Sequence, residues 1–589
     1  MKEHRLLILA TIVAGLSRFV ARAATVWEWD ETLFCHALRH YDVASHQPHP
    51  LGFPAFILLG KLFRLFASSD FRALQDVNLV AGFLVVPAAY VVARAFGIEP
   101  LQATMSGVVM AFLPNIWFYG GTAFSDVPAV VSVMFAVALL LDGRRSSSSW
   151  WWGCVLLGVA VAFRPQNALM GVFPWTAAVW VLLRDTSRPL PRRIAIVCGG
   201  TLLALAIGCG AYVGAALASS SWQDYLAAAR SQSEWVMKYD SYRNPMRPHL
   251  PRMFIIYFLI PSYAGKPAAA LSVLAGIAVL RLRRATLGIL LTFGPFLLFA
   301  LFMLGFEGAS RLSIGVMPLV ALLSTEGAFQ IGRWLEGWSA RAAIAVPAAL
   351  LLAIMLRLVI WIWPALRVVR TTPAPTYAAV QWIRGHLDRR KTTLYVHGSM
   401  WPYARYFLSD YQIVWIPDDW TPLSVADRRN GWLVQAEGGQ GEGIHFRRTR
   451  ERVWNLSSLR YFEVFVAPIE SRATFERGWY GEEINAQGET WRWAAGDSQL
   501  ELPGLAGDAE LTLHLGMLDL PKQSVTIALD GKPLETFEAA AQHVDRRYRV
   551  QSRSDRDELT ITVKPVENVE NRALGLELLD YEWHRAAQR

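Results

Sequence analysis

Three stretches of this sequence place charged side chains at the ends of long apolar runs, where a charge is costly to keep and therefore informative. The first is Trp27-Glu28-Trp29-Asp30-Glu31, followed by Tyr41-Asp42 and His46-Gln47-Pro48-His49-Pro50-Leu51-Gly52-Phe53-Pro54. Acids that lose part of their hydration beside lipid suit a general base or a cation site. The plainer alternative is a solvated loop whose tryptophans join an interfacial aromatic belt. The second is Thr122-Ala123-Phe124-Ser125-Asp126-Val127-Pro128, where Asp126 opens an apolar run with no other acid until Asp142. An N-cap Asp accepts backbone N–H bonds, contributes about 1 kcal/mol and complements the helix dipole, and capping is compatible with a functional role. The third is a pair of arginines, Arg164 in Phe163-Arg164-Pro165-Gln166-Asn167 and Arg311 in Phe306-Glu307-Gly308-Ala309-Ser310-Arg311. Their planar forks suit phosphate or carboxylate. Pairing with Glu307 or another acid, or snorkelling to the interface, would also satisfy them.

The elements that must hold these residues are membrane spans. Of 589 residues 53% are hydrophobic and 18% charged, against about one quarter charged in soluble proteins. An ordinary soluble enzyme and a disordered or fibrous chain are both excluded. The apolar residues crowd into the first 363 positions in about eleven runs, several of them shorter than the roughly 20 residues that cross hydrocarbon: 6–26, 74–95, 101–119, 127–141, 150–163, 168–183, 194–217, 268–280, 287–304, 312–324 and 342–363. Gly52 to Phe66 and Met253 to Tyr263 lie in the interface or add passes, giving an all-α membrane domain of 11–13 helices. Arg18 and Arg22 interrupt the first run, so it is read as an uncleaved span despite Ala21-Arg22-Ala23. The formal charge of +9 reflects basic loops of a spanning protein, and no nucleic acid partner is expected. Four cysteines make neither a metal spacing nor a disulfide framework.

Basic loops at Lys2/Arg5, Arg94, Arg144/Arg145, Arg184 to Arg193, Arg281 to Arg284 and Arg333/Arg341 fall on one side of these spans. The positive-inside rule makes that side cytoplasmic. The loops with Asp30, Asp126 and Arg311, and the tail, then lie outside. The longest external loop, Ser219 to Pro267, carries Lys238, Arg243, Arg247, Arg252 and Lys266 among Trp235, Tyr239 and Tyr242. It is a solvated face or a collector of anionic lipid headgroups.

After Thr371-Thr372-Pro373-Ala374-Pro375 the composition changes. Residues 366–473 read as a small α/β domain, with helices at 378–387 and 401–407 and strands at 393–397 and 412–416. Residues 474–589 read as a jelly-roll-like β-sandwich, from alternating runs at 499–502, 509–515, 524–529, 548–551 and 559–563. The aromatics of Gly478-Trp479-Tyr480 and Trp491-Arg492-Trp493 serve either as sandwich core or as stacking surfaces for sugars, and the segment resembles carbohydrate-binding jelly-roll modules of bacterial envelope enzymes.

The acids after the first span, the His-Pro-x-Gly-x-Pro run at His49, the Ser-Asp-Val-Pro helix start at Ser125 and Arg311 before Pro318 occur in that order. In this the first 365 residues resemble the GT-C glycosyltransferases, in the bacterial branch related to protein O-mannosyltransferases and aminoarabinose transferases. The resemblance implies a multi-pass enzyme of the bacterial inner membrane. It would transfer a sugar, with inversion, from a polyprenyl-phosphate donor to a glycan, lipid or protein acceptor outside. It implies Asp30 as the general base, with Glu31 the adjacent candidate, and Arg311 on the donor phosphate, with Arg164 and Lys266 assigned to the same task. Asp126, His46, His49 and Glu307 are assigned to the acceptor or sugar. The family's Arg-Tyr pair is Arg311-Leu312 here, which leaves its tyrosine unaccounted for. No Asp-x-Asp motif occurs in the external loops, so the sequence requires no divalent metal and implies no cofactor beyond the donor. Membrane lipids are the remaining expected partners. A transporter or flippase of lipid-linked glycans is the competing reading, but it favours mid-membrane charges and internal repeats, and neither is found. A glycan-binding module on a membrane anchor would not need eleven spans.

Overall fold

The computed structural model describes residues 2–143, 146–259, 268–306, 308–416, 431–436, 443–447, 463–469, 473–484, 490–517, 523–538, 543–569 and 572–586. The chain forms two compact units, the first ending at Ala374 and the second beginning at Pro375.

The first unit is helical, with α1 (Lys2–Ala21), α2 (Trp29–Arg39), α3 (Pro54–Arg64), α4 (Asp70–Ala95), α5 (Pro100–Phe112), α6 (Pro114–Tyr119), α7 (Asp126–Asp142), α8 (Ser147–Phe163), α9 (Ala168–Arg184), α10 (Leu190–Leu217), α11 (Trp222–Trp235), α12 (Leu250–Phe254), α13 (Ala269–Leu280), α14 (Arg284–Met303), α15 (Ala309–Leu312), α16 (Met317–Leu335) and α17 (Ala340–Thr371). Among the described residues seven helical segments, those containing α1, α4, α9, α10, α14, α16 and α17, are long and apolar enough to cross a membrane. The other four expected runs are the shorter helices α5, α7, α8 and α13. The run at 101–119 is two helices because Leu113, ahead of Pro114, takes an extended ψ of 130°, and Pro114 restarts the chain as α6. Leu202 and Leu205 of α10, and Leu352, Leu356 and Ile360 of α17, are each more than half exposed, an apolar surface that lipid satisfies and water does not. The protein is a multi-pass membrane protein.

Polar side chains of α4, two of them buried, stitch the ends of these helices together. Gln75 donates to the carbonyls of Ala23 (3.0 Å) and Gly121 (2.9 Å), Asn78 donates to Phe124 (2.8 Å), and Arg72 donates to Ala23 (3.1 Å). The chain leaving α1 and the turn before α7 are thereby held side by side. They approach so closely that a Cβ on Gly121 would sit 2.3 Å from the Ala21 carbonyl oxygen. Arg18, fully buried, donates to the Ala111 carbonyl at the end of α5 at 2.5 Å, the place where a helix favours a cation.

The second unit contains α18 (Pro375–His386), β1 (Thr393–His397), α19 (Trp401–Phe407), β2 (Gln412–Ile416), β3 (Gly431–Ala436), β4 (Ile444–Arg447) and β5 (Glu463–Pro468). The sheet order is β2-β1-β3-β5-β4, with β1 parallel to both neighbours and the rest antiparallel. Two further five-stranded antiparallel sheets follow, built from β6 (Thr474–Phe475), β7 (Trp479–Ile484), β8 (Thr490–Ala494), β9 (Asp497–Pro503), β10 (Gly507–Met517), β11 (Ser524–Leu529), β12 (Lys532–Glu538), β13 (His543–Ser552), β14 (Arg556–Lys564) and, after the hairpin β15 (Glu567–Val569) and β16 (Arg572–Leu574), β17 (Leu576–Arg585). Their orders are β13-β10-β17-β8-β7 and β12-β11-β14-β9-β6. Alternate residues such as Leu511, Leu513 and Leu515 of β10 and Leu559, Ile561 and Val563 of β14 share one core, as the period-two pattern requires. Trp479 packs against that core and donates to the Gln499 carbonyl at 3.0 Å.

Candidate active site

The segment after α1, read from sequence as an external loop, contains the helix α2. Its start is a reciprocal cap: the Glu31 carboxylate accepts N–H bonds from Trp27 (2.8 Å) and Glu28 (3.0 Å), the Glu-x-x-Glu spacing of a capping box. A third bond comes from the Ala123 backbone at 2.8 Å. Glu31 is fully buried. Burial pushes its carboxyl up to about 6, against the pull of these three donors. Of the adjacent acids assigned to catalysis, Glu31 therefore builds the backbone, while Asp30 points the other way.

Asp30 is a quarter exposed and meets Arg311, whose Nη1 lies 2.6 Å from its Oδ2. His49 brings its Nδ1 to 3.8 Å from Asp30 Oδ1, with no hydrogen-bond partner among the described residues. The His49 ring packs against Phe53 and Phe34, at centroid distances of 4.6 and 5.4 Å. Burial works against the Asp30 carboxylate, but the imidazole of His49 and the guanidinium groups of Arg311 and Arg164 hold it down at about 2. His49 is itself pushed down to about 4 by burial, against the pull of Asp30. At neutral pH the two arginines therefore keep Asp30 ionised. His46 sits exposed at the tip of the turn closed by Asp42 and Gln47, with a left-handed φ of 55°. Asp42 anchors that turn through Ser45 (2.6 Å) and Ser220 (2.5 Å).

Asp126 is the first helical residue of α7 and not its cap. Its carboxylate is instead paired with Arg164 Nη2 at 2.8 Å, and Arg164 Nε donates to Ser125 Oγ at 3.1 Å. A buried guanidinium outcompetes backbone N–H groups for the acid because it brings a full charge. A small cavity beside this pair is lined by Asp126, Arg164, Asn167, Phe296, Leu312 and Ile314 among others.

Arg311 is positioned by the polar edge of α6: Asn115 donates to the Ser310 carbonyl and to Ser313 Oγ, both at 3.2 Å. Its guanidinium lies over the Phe124 ring, 4.7 Å from the centroid, and its Nη1 is 3.9 Å from Glu28 Oε2. Glu28 in turn accepts from the Tyr119 hydroxyl at 3.3 Å. Thus Asp30, Arg311, His49, Asp126 and Arg164 come together at one end of the helical unit. Lys266 and Glu307 lie outside the described residues. Glu28 and Tyr119 were not among the expected site residues. Tyr119 has no local signal, while Glu28 was readable as the cap partner of Glu31. Among the described residues no group of three or more His, Cys, Asp or Glu is arranged to hold a metal ion.

This architecture has known counterparts. No protein-family model matches the chain. The apo crystal structure of ArnT from Cupriavidus metallidurans matches with a TM-score of 0.51 at 13% identity, over 79% of this chain and 98% of that one. The fold is that of ArnT. The ArnT structure bound to undecaprenyl phosphate matches this chain with a TM-score of 0.50 at 12% identity, over 78% of this chain and 97% of that one. A curated relative of known activity, the Dol-P-Glc:Glc(2)Man(9)GlcNAc(2)-PP-Dol alpha-1,2-glucosyltransferase of Yarrowia lipolytica, is 29% identical over 116 residues. The match spans 20% of this chain and 21% of that relative.

Proposed function

We propose that the protein is an integral membrane glycosyltransferase that moves a sugar from a polyprenyl-phosphate donor to a hydroxyl of a glycan, lipid or protein acceptor, with inversion. The observation that carries this reading is the contact of Asp30 with Arg311 at 2.6 Å, in a cluster at the ends of apolar helices. Asp30 takes the acceptor hydroxyl's proton. The acceptor oxygen bonds the anomeric carbon as the bond from that carbon to the phosphate oxygen breaks, and its electron pair stays on the leaving polyprenyl phosphate. Arg311 stabilises that growing charge, and Arg164 adds its field from the Asp126 side. His46, His49 and Asp126 line the acceptor and sugar side. The distribution of basic loops supports an extracytoplasmic face for this chemistry and for the C-terminal unit, and the proposed location is a bacterial inner membrane.

The test is release of free polyprenyl phosphate from a mixed pool of polyprenyl-phosphate sugars by the purified protein with crude membrane acceptors. Release by wild type and not by a folded Asp30→Asn variant is expected, and the donor consumed names the sugar. Absence of release by wild type with every donor and acceptor pool would overturn the reading.

A further inference from the structure

Both arginines of the site are already paired with acids, and the two pairs differ. Arg164 has two hydrogen bonds, to Asp126 and Ser125, and both partners of its ion pair are largely buried. Arg311 makes one close contact, through Nη1 to an Asp30 that is a quarter exposed. Its Nε is buried with no hydrogen-bond partner among the described residues. Its guanidinium rests on the flat face of Phe124, a support that constrains position along the ring normal and leaves rotation in the ring plane cheap.

The charges set a further condition. Among the described residues Asp30, Glu28 and Asp126 surround Arg311 and Arg164, three acids against two arginines, so a phosphate that enters beside these groups competes with an acid for a cation. A carboxylate bonded to a guanidinium is also a weak base, because the ion pair stabilises its deprotonated form. One contact thus occupies both the base and the phosphate ligand of the proposed reaction.

We infer that Arg311 serves two anions in turn, holding Asp30 before the donor enters and passing to the donor phosphate when it does, so that the base is released only in the donor-loaded enzyme. The inference rests on the polyprenyl-phosphate reading above and adds an order to it, donor before acceptor. In the transfer step the acceptor's proton goes to Asp30 and the electron pair of the broken bond to the phosphate oxygen. As the polyprenyl phosphate leaves, Asp30 gives its proton to water and Arg311 returns to it.

The test needs neither the sugar nor the acceptor. Binding of undecaprenyl phosphate to the full-length protein in nanodiscs is measured for wild type, Asp30→Asn, Arg311→Gln and the double variant. The exchange predicts that Asp30→Asn, although inactive, binds about tenfold more tightly than wild type, because Arg311 is no longer shared. It also predicts that Arg311→Gln binds at least about tenfold more weakly, and that Asp30→Asn gives no tightening in the Arg311→Gln background. Unchanged or weaker binding by Asp30→Asn would overturn the exchange while leaving the lipid-phosphate reading standing. Equal tightening in both backgrounds would also overturn it, since the effect would then be loss of a negative charge alone. Failure of wild type and Asp30→Asn alike to bind undecaprenyl phosphate would overturn the lipid-phosphate reading and the exchange with it.

Discussion

The site contains two ion pairs of the same chemistry with different surroundings. Arg164–Asp126 joins the start of α7 to the turn after α8, with Ser125 as a second acceptor and both charges largely out of water. Arg311–Asp30 joins α15 to α2 by one close contact, with Glu28 at 3.9 Å as an alternative acid. The first pair closes its own hydrogen-bonding needs and braces two helices. The second leaves a buried donor unused and an acid partly open. The comparison teaches that stability and reactivity are separated in this site by how completely each guanidinium is satisfied.

The comparison can be broken by substitution. Asp30→Asn is expected to lower turnover by about 10²–10⁴-fold with a smaller loss of thermal stability in detergent than Asp126→Asn causes, as read by polyprenyl phosphate release beside a melting curve. A variant that melts far below wild type would make Asp30 a structural acid. Asp126→Asn strands a buried arginine and should cost about 3 kcal/mol or more, seen as a large drop in Tm. Arg311→Gln should cost less than half as much, and an equal drop would erase the distinction between the pairs.

Glu31 sharpens the contrast through pH. Its carboxyl is raised from the ordinary 4.5 to about 6 by burial, so the folded chain binds this proton more tightly than the unfolded one. Its contribution to stability is therefore full below about pH 4.5 and declines as pH rises through about 6, by about 2 kcal/mol in all. Melting of wild type and Glu31→Gln at pH 5 and 7.5 checks this, the variant having the flatter profile. The smallest effect is expected from Asn115→Ala, which removes two hydrogen bonds holding the Arg311 segment. About 1 kcal/mol should appear as roughly fivefold weaker undecaprenyl phosphate binding.

Much of this was legible in residue order. Apolar runs placed a helix at every expected span, and strict alternation placed β9, β10, β11, β13 and β14. Where the reading failed, the cause was a competing partner. The segment after α1 looked like a loop because its tryptophans and acids suggest an interface, yet Glu28 and Glu31 cap α2. Asp126 looked like a cap, and a distant Arg164 took its carboxylate. Strands such as β3 and β5 lack a clean period of two because both of their faces are largely buried.

The sequence by itself determined that this chain crosses a membrane several times, that its acids and arginines gather at helix ends, and that a β-rich unit follows. Those are consequences of hydrophobic period and of the cost of charge in lipid, both local. Only the tertiary structure decided which acid meets which arginine, that Glu31 serves the backbone while Asp30 stays open, and that Tyr119 reaches Glu28 across 91 positions of chain. Pairing depends on distance in space and on which neighbours have already spent their hydrogen bonds, and neither is written in the spacing of residues along the chain.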